Sequence, residues 1–478
     1  MTPCVTSLTT NQALAMIDIL GVIFEACLAL NFSVEWQSDV RQKMALGAVC
    51  RCWRLVLESL PALWSCIILV PRMPQYYIDK VFRLAKATPK RLRIDIYSEL
   101  APTFLPSIAA LLVATAETVT HLCVQYSSYS TWDGFINHIS AIHSQPRFTS
   151  LQQFSATTPI PLWSELDADL PHRFPGYAPN LQHLLLHGLP LSSFAVGPNI
   201  NSLALTNLNS VYDDATSTVF ALCLLDTLRH TPRLSMLMVG APPESTLHLN
   251  ASNSLAPVVL PHLHTFSFLC MLSSTHRCGF LASLIVAPQL QTLSVGLANV
   301  PNTKDFISLN SSKISVIAGL HLLGNTSAYL EFTSGGAQKL LSSLTGSNLR
   351  SIDFLDLVGS FDFDADHIVD VQRGLLEILT HALSLPAIRL LVIPPLFLPP
   401  HPGSRRSLMS SLFDDLPRDS KAKHILEAHA VCLSSEENHS NCGLLWSWEH
   451  RTLTLRSEPS HYRVGWFGAE FFVPVNFL

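Results

Sequence analysis

Three groups of residues have the types that metal or acid–base chemistry uses. Phe361-Asp362-Phe363-Asp364-Ala365-Asp366-His367 opens like a calcium loop, with carboxylates at alternate positions. That loop needs Gly at its sixth position and Glu at its twelfth, where His367 and Arg373 stand. The run reads instead as an acidic loop ahead of a helix N-terminus, where negative charge is favoured. His262 and His264 are placed on one strand face, with Cys270, His276 and Cys278 nearby, and Cys432, His439 and Cys442 form a second loose group. Zinc sites use tighter paired spacing, so neither group is expected to bind metal. Arg83, Lys86, Lys90, Arg91 and Arg93 make a basic cluster, read as a solvated helix face rather than a nucleic-acid site. No GxSxG, P-loop, Rossmann glycine pattern or HExxH occurs. No catalytic residue, cofactor or metal is expected.

The elements that must carry any surface are strongly apolar. Of 478 residues, 48% are hydrophobic and only 14% charged, and mean hydropathy is +0.30. A chain of this length supports roughly two to three domains or one long repeat array, and leucine supplies about one residue in six. Lys+Arg 30 against Asp+Glu 35 leaves a net charge of −5, which argues against a phosphate backbone as the main partner. Eleven cysteines, unevenly spaced and without a CxxC, do not form a secreted disulfide framework. Cytoplasm or nucleus is expected. Residues Ala13 to Leu30 are apolar, yet no Lys or Arg precedes Arg41. Asp18 and Glu25, seven residues apart on one helix face, would each cost roughly 2.5–3.5 kcal/mol near a bilayer centre. A half-buried amphipathic helix is expected, with no membrane partner.

That helix contains Ile19-Leu20-Gly21-Val22-Ile23-Phe24-Glu25-Ala26-Cys27-Leu28. A second block reads Ala45-Leu46-Gly47-Ala48-Val49-Cys50-Arg51-Cys52-Trp53-Arg54, and a third Leu60-Pro61-Ala62-Leu63-Trp64-Ser65. The ensemble resembles the F-box domain, with its I-L-x-x-I-F helix, V-C-R-x-W-R block and closing P-x-L-W-S. The resemblance covers about residues 13–70 and is to the fungal class in which an F-box precedes leucine-rich repeats. Where the family opens helix one with L-P-x-E, this chain has Ala15, Met16, Ile17 and Asp18, and residues 31–42 are expected as a long loop. Three short helices bury too little surface to stand alone comfortably. The resemblance implies docking of the Skp-family adaptor of a cullin ligase core through Ile19, Leu20, Ile23, Phe24, Leu28, Val49, Trp53, Leu63 and Trp64. Trp53 and Trp64 have the type enriched at interface centres, and both can equally be core.

From residue 119 one pattern recurs, apolar-x-x-apolar-x-apolar. It begins at Val119, Leu151, Leu181, Ile200, Leu234, Leu263, Leu290, Leu349 and Ile388, in steps of 32, 30, 19, 34, 29, 27, 59 and 39 residues. A weak repeat around Ile314-Ile317 is expected inside the long step, and Arg451 to Arg456 as a last strand. Pro179, Pro198, Pro232, Pro261, Pro288 and Pro386 sit two residues ahead of the first apolar position, where each stops the preceding segment. Thr216 to His230 and Asp370 to Leu385 have helical spacing. Alternating strands and helices at this period resemble an irregular leucine-rich repeat, though the usual asparagine is missing: Leu189, Leu208, Met271 and Leu357 stand in its place.

The expected fold is therefore α/β. An all-α F-box-like module (13–70) precedes connecting helices and a first irregular repeat (71–118). A degenerate leucine-rich-repeat solenoid (119–457) and an aromatic C-terminal cap (458–478) follow. The expected function is a non-catalytic substrate-recognition subunit of a cullin-type ubiquitin ligase. The alternative is a repeat scaffold with a degenerate F-box and no ligase role. The target would meet the third and fifth positions of each strand, which share a face: His183 and Leu185, Met236 and Met238, Ser267, Ser294 and Asp353. Neither Arg nor Lys occurs at these positions from residue 181 onward, so a neutral surface read without phosphorylation is expected.

Overall fold

The computed structural model describes residues 10–28, 36–96, 101–142, 146–157, 173–189, 191, 194, 196–206, 214–241, 256–270 and 284–297. Beyond these it describes the strand segments 319–324, 351–356, 390–393, 443–447, 452–456, 462–466 and 469–473. The chain forms two compact units, one of Met1–Thr158, Pro171–Gln182 and Ser193–Gly197, the other of Pro159–Leu170, His183–Ser192 and Pro198–Leu478.

The first unit opens with helices α1 (Thr10–Cys27), α2 (Trp36–Val49) and α3 (Arg51–Ser59), then a 3-10 turn over Pro61–Trp64. Leu20 and Phe24 of α1, and Leu28 just past its end, recur every four residues and are buried, the spacing that aligns side chains on one helix face. Val56 and Leu57 of α3 and Leu63 of the turn are buried as well. Cys50 caps α3, its Sγ accepting from the Trp53 N–H at 3.4 Å. Residues 36–42 belong to α2 and correct the expected 31–42 loop; residues 31–35 lie outside the described residues.

The same unit continues β1 (Cys66–Leu69), α4 (Gln75–Ala85), β2 (Lys90–Ile96), α5 (Ala101–Thr115), β3 (Val119–Tyr126), α6 (Tyr129–Ser140) and β4 (Gln153–Thr157). Its four strands pair in parallel in chain order. Strand repeats thus begin at Cys66, well before residue 119. Trp64-x-x-Ile67-x-Leu69 is the first, so the Leu63-Trp64 block also opens the ladder. Arg91, on the next strand, donates its N–H to the Ser65 carbonyl at 2.9 Å. Leu92, Ile94, Leu122, Val124, Phe154 and Ala156 fill the inner face. Helix α6 starts at a reciprocal cap in which Ser128 Oγ accepts from the Thr131 N–H and Thr131 Oγ1 from the Ser128 N–H. It buries Trp132, Phe135, Ile136 and Ile139. Phe148, Phe154, Phe174 and Phe194 cluster with neighbouring ring centroids 4.5 to 5.5 Å apart, Phe174 stacked on Phe194 and the other pairs tilted. A Cβ on Gly176 would lie 2.5 Å from Phe174 and 2.6 Å from Phe148, so only glycine lets that loop pass.

In the second unit come β5 (His183–His187), β6 (Ser202–Thr206), α7 (Asp214–Arg229), β7 (Met236–Ala241), β8 (Val258–Val259), β9 (Thr265–Cys270), β10 (Ile285–Val286), β11 (Thr292–Leu297), β12 (Gly319–Gly324), β13 (Ser351–Asp356) and β14 (Leu390–Ile393). Strands β5, β6, β7, β9, β11, β12, β13 and β14 pair in parallel in that order, and β8 pairs with β10 in a separate ladder. Every expected strand from Val119 to Ile388 is present. The hidden repeat lies three residues later than expected, with Leu320 between Leu293 and Ile352. Pro232, Pro261 and Pro288 each take the second place of a β-turn: Leu234 N–H donates to Thr231 C=O, Leu263 to Leu260 and Leu290 to Ala287, at 3.1 to 3.3 Å. The fixed proline φ suits that place. Gly188, at φ 70°, ends β5. On α7, Leu224, Leu225 and Leu228 are buried, while Leu222 is 43% exposed.

The parallel order stops at β14. Strand β15 (Gly443–Ser447) joins β14 antiparallel, and β16 (Thr452–Arg456) joins β15 likewise. The last expected strand is thus one arm of a hairpin. Within the tail, β17 (Tyr462–Trp466) and β18 (Ala469–Val473) form another hairpin. The 361–367 run, the 370–385 helix and Cys432, His439 and Cys442 lie outside the described residues.

Candidate interaction surfaces

The N-terminal helices divide the expected adaptor residues into two sets. Leu20 and Phe24 of α1 and Leu28 after it, with Leu63 and Trp64, are core. The Trp64 Nε1 donates to the Leu57 carbonyl at 2.8 Å, and the Lys43 Nζ lies 5.3 Å from its ring. Of the two roles open to Trp64, the structure gives it the core one. Trp53 is half-buried, edge-on to Phe24 at 5.2 Å. Ile19 is 61% exposed, Ile23 39% and Val49 59%. With Val22 and Ala26, Ile19 and Ile23 form an unbroken outward stripe on α1. A second stripe, of which only Val49 was expected, lies on α2. On α2 the inward positions are Lys43 and Gly47, and Met44, Ala45, Ala48 and Val49 face outward. The Arg54 Nε donates to the Gly47 carbonyl at 3.0 Å, which holds that inward face against α3. Their spacing is helical, and reading the segment as a helix would have exposed it.

In the second unit, the expected target positions fall into two cross-strand rows. One runs His183, Ser202, Met236, Thr265 and Thr292; the other runs Leu185, Ala204, Met238, Ser267 and Ser294. Gly319, Ser351 and Leu390 extend the first row, and His321, Asp353 and Val392 the second. The alternation is as expected, and the exposure is lower. Leu185, Ser202, Ala204, Met238 and Ser267 are buried, and His183, Met236, Thr265 and Thr292 are half-buried. His187, in line with His183 and Leu185, is fully buried, its Nδ1 3.2 Å from Thr206 Oγ1. Burial pushes its imidazole well below the ordinary histidine range and lowers that of His183. His262 and His264 precede β9 in the Pro261 turn rather than alternating along a strand; His264 Nδ1 is 3.2 Å from the Gln289 carbonyl.

The basic cluster is not one helix face. Arg83 is on α4 and Lys86 ends it, while Lys90, Arg91 and Arg93 belong to β2. Lys90 is buried, with Nζ 2.7 Å from the Lys86 carbonyl, 3.1 Å from the Thr88 carbonyl and 3.1 Å from Thr118 Oγ1. Burial pushes its ammonium below the usual lysine range. Arg93 clasps the buried Asp95 through Nε–Oδ1 at 2.8 Å and Nη2–Oδ2 at 3.0 Å. Burial raises the Asp95 carboxyl, and Arg93 opposes that rise. Burial likewise raises the Cys123 thiol against its bond to Ser155, keeping it protonated and unreactive at neutral pH. Among the described residues, no three His, Cys, Asp or Glu side chains converge on a metal-sized site. No described helix is long and apolar enough to cross a membrane. Compared with known proteins, the chain matches no family profile and no curated sequence.

Proposed function

We propose that the chain is a non-catalytic substrate-recognition subunit of a cullin-type ubiquitin ligase. The N-terminal helices would dock a Skp-family adaptor, and the strand ladder, as an irregular leucine-rich-repeat solenoid, would hold the target. The observation carrying this reading is the pair of outward apolar stripes, Ile19-Val22-Ile23-Ala26 and Met44-Ala45-Ala48-Val49, on the helices that hold the F-box-like blocks. A small helical packet gains by covering such surface, at about 25 cal/mol for each Å² removed from water. Function is then proximity, since tethering raises the effective concentration of target lysines beside the conjugating enzyme.

One observation favours the scaffold alternative. Helix α1 begins at Thr10 and runs through Ala15, Met16, Ile17 and Asp18, so no proline-initiated start occurs where the family has one. A titration of the full chain against the adaptor separates the two readings. Ile19→Ser with Ile23→Ser should weaken binding more than about tenfold, as loss of interface anchors does, and leave the helical signal intact. Wild type that does not bind, or a double variant that binds equally well, sinks the ligase reading and leaves the scaffold.

A further inference from the structure

Strand register gives a role to basic residues that spacing had placed on a helix. On β2, Arg91, Arg93 and Asp95 alternate with buried Leu92, Ile94 and Ile96, so they share one face. Parallel pairing sets Arg91 beside His121 and then Gln153. It sets Arg93 beside Cys123 and then Ser155, and Asp95 beside Gln125 and then Thr157. Apart from the His121 imidazole, these positions hold neither an aliphatic nor an aromatic side chain. They are the third, fifth and seventh places of the strand repeat, the first two being those expected to meet a target. In the second unit the fifth-position row begins with apolar Leu185, Ala204 and Met238, and the third-position row with uncharged or weakly basic His183, Ser202 and Met236.

The lattice has two guanidiniums and one carboxylate, in a chain whose net charge is −5. Arg93 is committed to Asp95, and its Nη2 also donates to Gln125 Oε1 at 2.9 Å. That cluster fixes one guanidinium beside the half-buried Arg91. We infer that the β2–β4 face receives an acidic side chain, Asp or Glu, of a target polypeptide, with Arg91 as the group that meets the carboxylate. Guanidinium pairs bidentately with carboxylate, and the neutral Gln, Ser and Thr neighbours supply hydrogen bonds around it. A nucleic acid suits the face poorly, because phosphate backbones need several clustered cations and single strands need stacking rings. The inference rests on the target-binding half of the proposed function and is independent of adaptor docking.

The test uses the full chain and degenerate 12-residue peptide pools whose central residue is Asp, Glu, phosphoserine, Lys or Ala, with a single-stranded oligonucleotide as competitor. The Asp and Glu pools should bind about fivefold tighter than the Ala and Lys pools, the scale of one partly exposed ion pair. Arg91→Met should erase that preference, and Arg91→Lys should keep part of it. Gln153→Glu, which sets a carboxylate in the Arg91 row without removing packing, should erase it even where Arg91→Met fails to fold. Equal binding of all pools, no binding of any, or a preference surviving both Arg91→Met and Gln153→Glu overturns the inference. So does selection of the phosphoserine pool alone, or displacement by the oligonucleotide. Loss of the acidic preference with neutral binding retained leaves the proposed function standing, whereas failed adaptor titration strikes only that function.

Discussion

His187 is a neutral imidazole whose Nδ1 lies 3.2 Å from the Thr206 hydroxyl, with no exposure to solvent. Its folded pKa lies well below 6.5, while the unfolded chain takes up that proton near 6.5. Between those values the unfolded state binds more protons, so stability rises with pH through the window and falls on acidification. One such group contributes a slope of up to about 1.4 kcal/mol per pH unit. His187→Gln, which retains a partner for Thr206, should flatten the fall in urea midpoint between about pH 6.5 and pH 5. His183, lowered in the same direction, leaves a residual slope. An unchanged acid limb in the variant would show that His187 is not the group responsible. At this scale the residue types were legible and their burial was not. Phe24 was expected as a docking anchor and Trp64 as anchor or core, and both are buried, because covering depends on which neighbours fold over them.

At the scale of elements, the α4–β2 connection joins a helix to the strand carrying Arg91. Thr88 N–H donates to the Ala85 carbonyl at 3.1 Å, closing a turn in which Lys86 has φ 51° and ψ −136°. A side chain is strained there and glycine is not. Lys90 holds the turn from within through the Lys86 and Thr88 carbonyls. Lys86→Gly should therefore stabilise the fold by about 1 kcal/mol, read as a higher urea midpoint at constant slope. A lower midpoint would mean that the Lys86 side chain contributes more than its backbone costs. Strands with a proline turn ahead were read correctly because proline and the apolar alternation point to the same structure. Strand β2 was missed although Leu92, Ile94 and Ile96 alternate plainly; Pro89 takes its first apolar position and its charges drew the eye to a helix.

At the scale of the whole molecule, the candidate adaptor stripes and the Met236 row belong to different compact units. Residues without shared partners act additively, within about 0.5 kcal/mol or roughly twofold in affinity. Met236→Lys should thus leave adaptor affinity unchanged, and combining it with the Ile19→Ser, Ile23→Ser pair should weaken adaptor binding no further than that pair does. Titration of the three proteins against the adaptor checks this, and a larger loss in the combined variant would reveal coupling between units.

The parallel ladder was written in local signals: leucines two and three apart, a proline turn before them, a helix between. Those patterns act within a dozen residues, and burying one such leucine gains about 1.5–3 kcal/mol wherever a neighbouring strand covers it, so spacing alone placed the main strands between Val119 and Ile393 except β12, which lies three residues later. What depended on the assembled fold was which faces are covered. Lys43 turns inward over Trp64 while Met44 turns out, His187 is sealed, and Arg91 and Arg93 line up with His121 and Cys123. The reversal at β15 is of the same kind. Each follows from contacts between segments far apart in the chain, and hydrophobicity, being non-directional, carries no local mark of which partner will arrive.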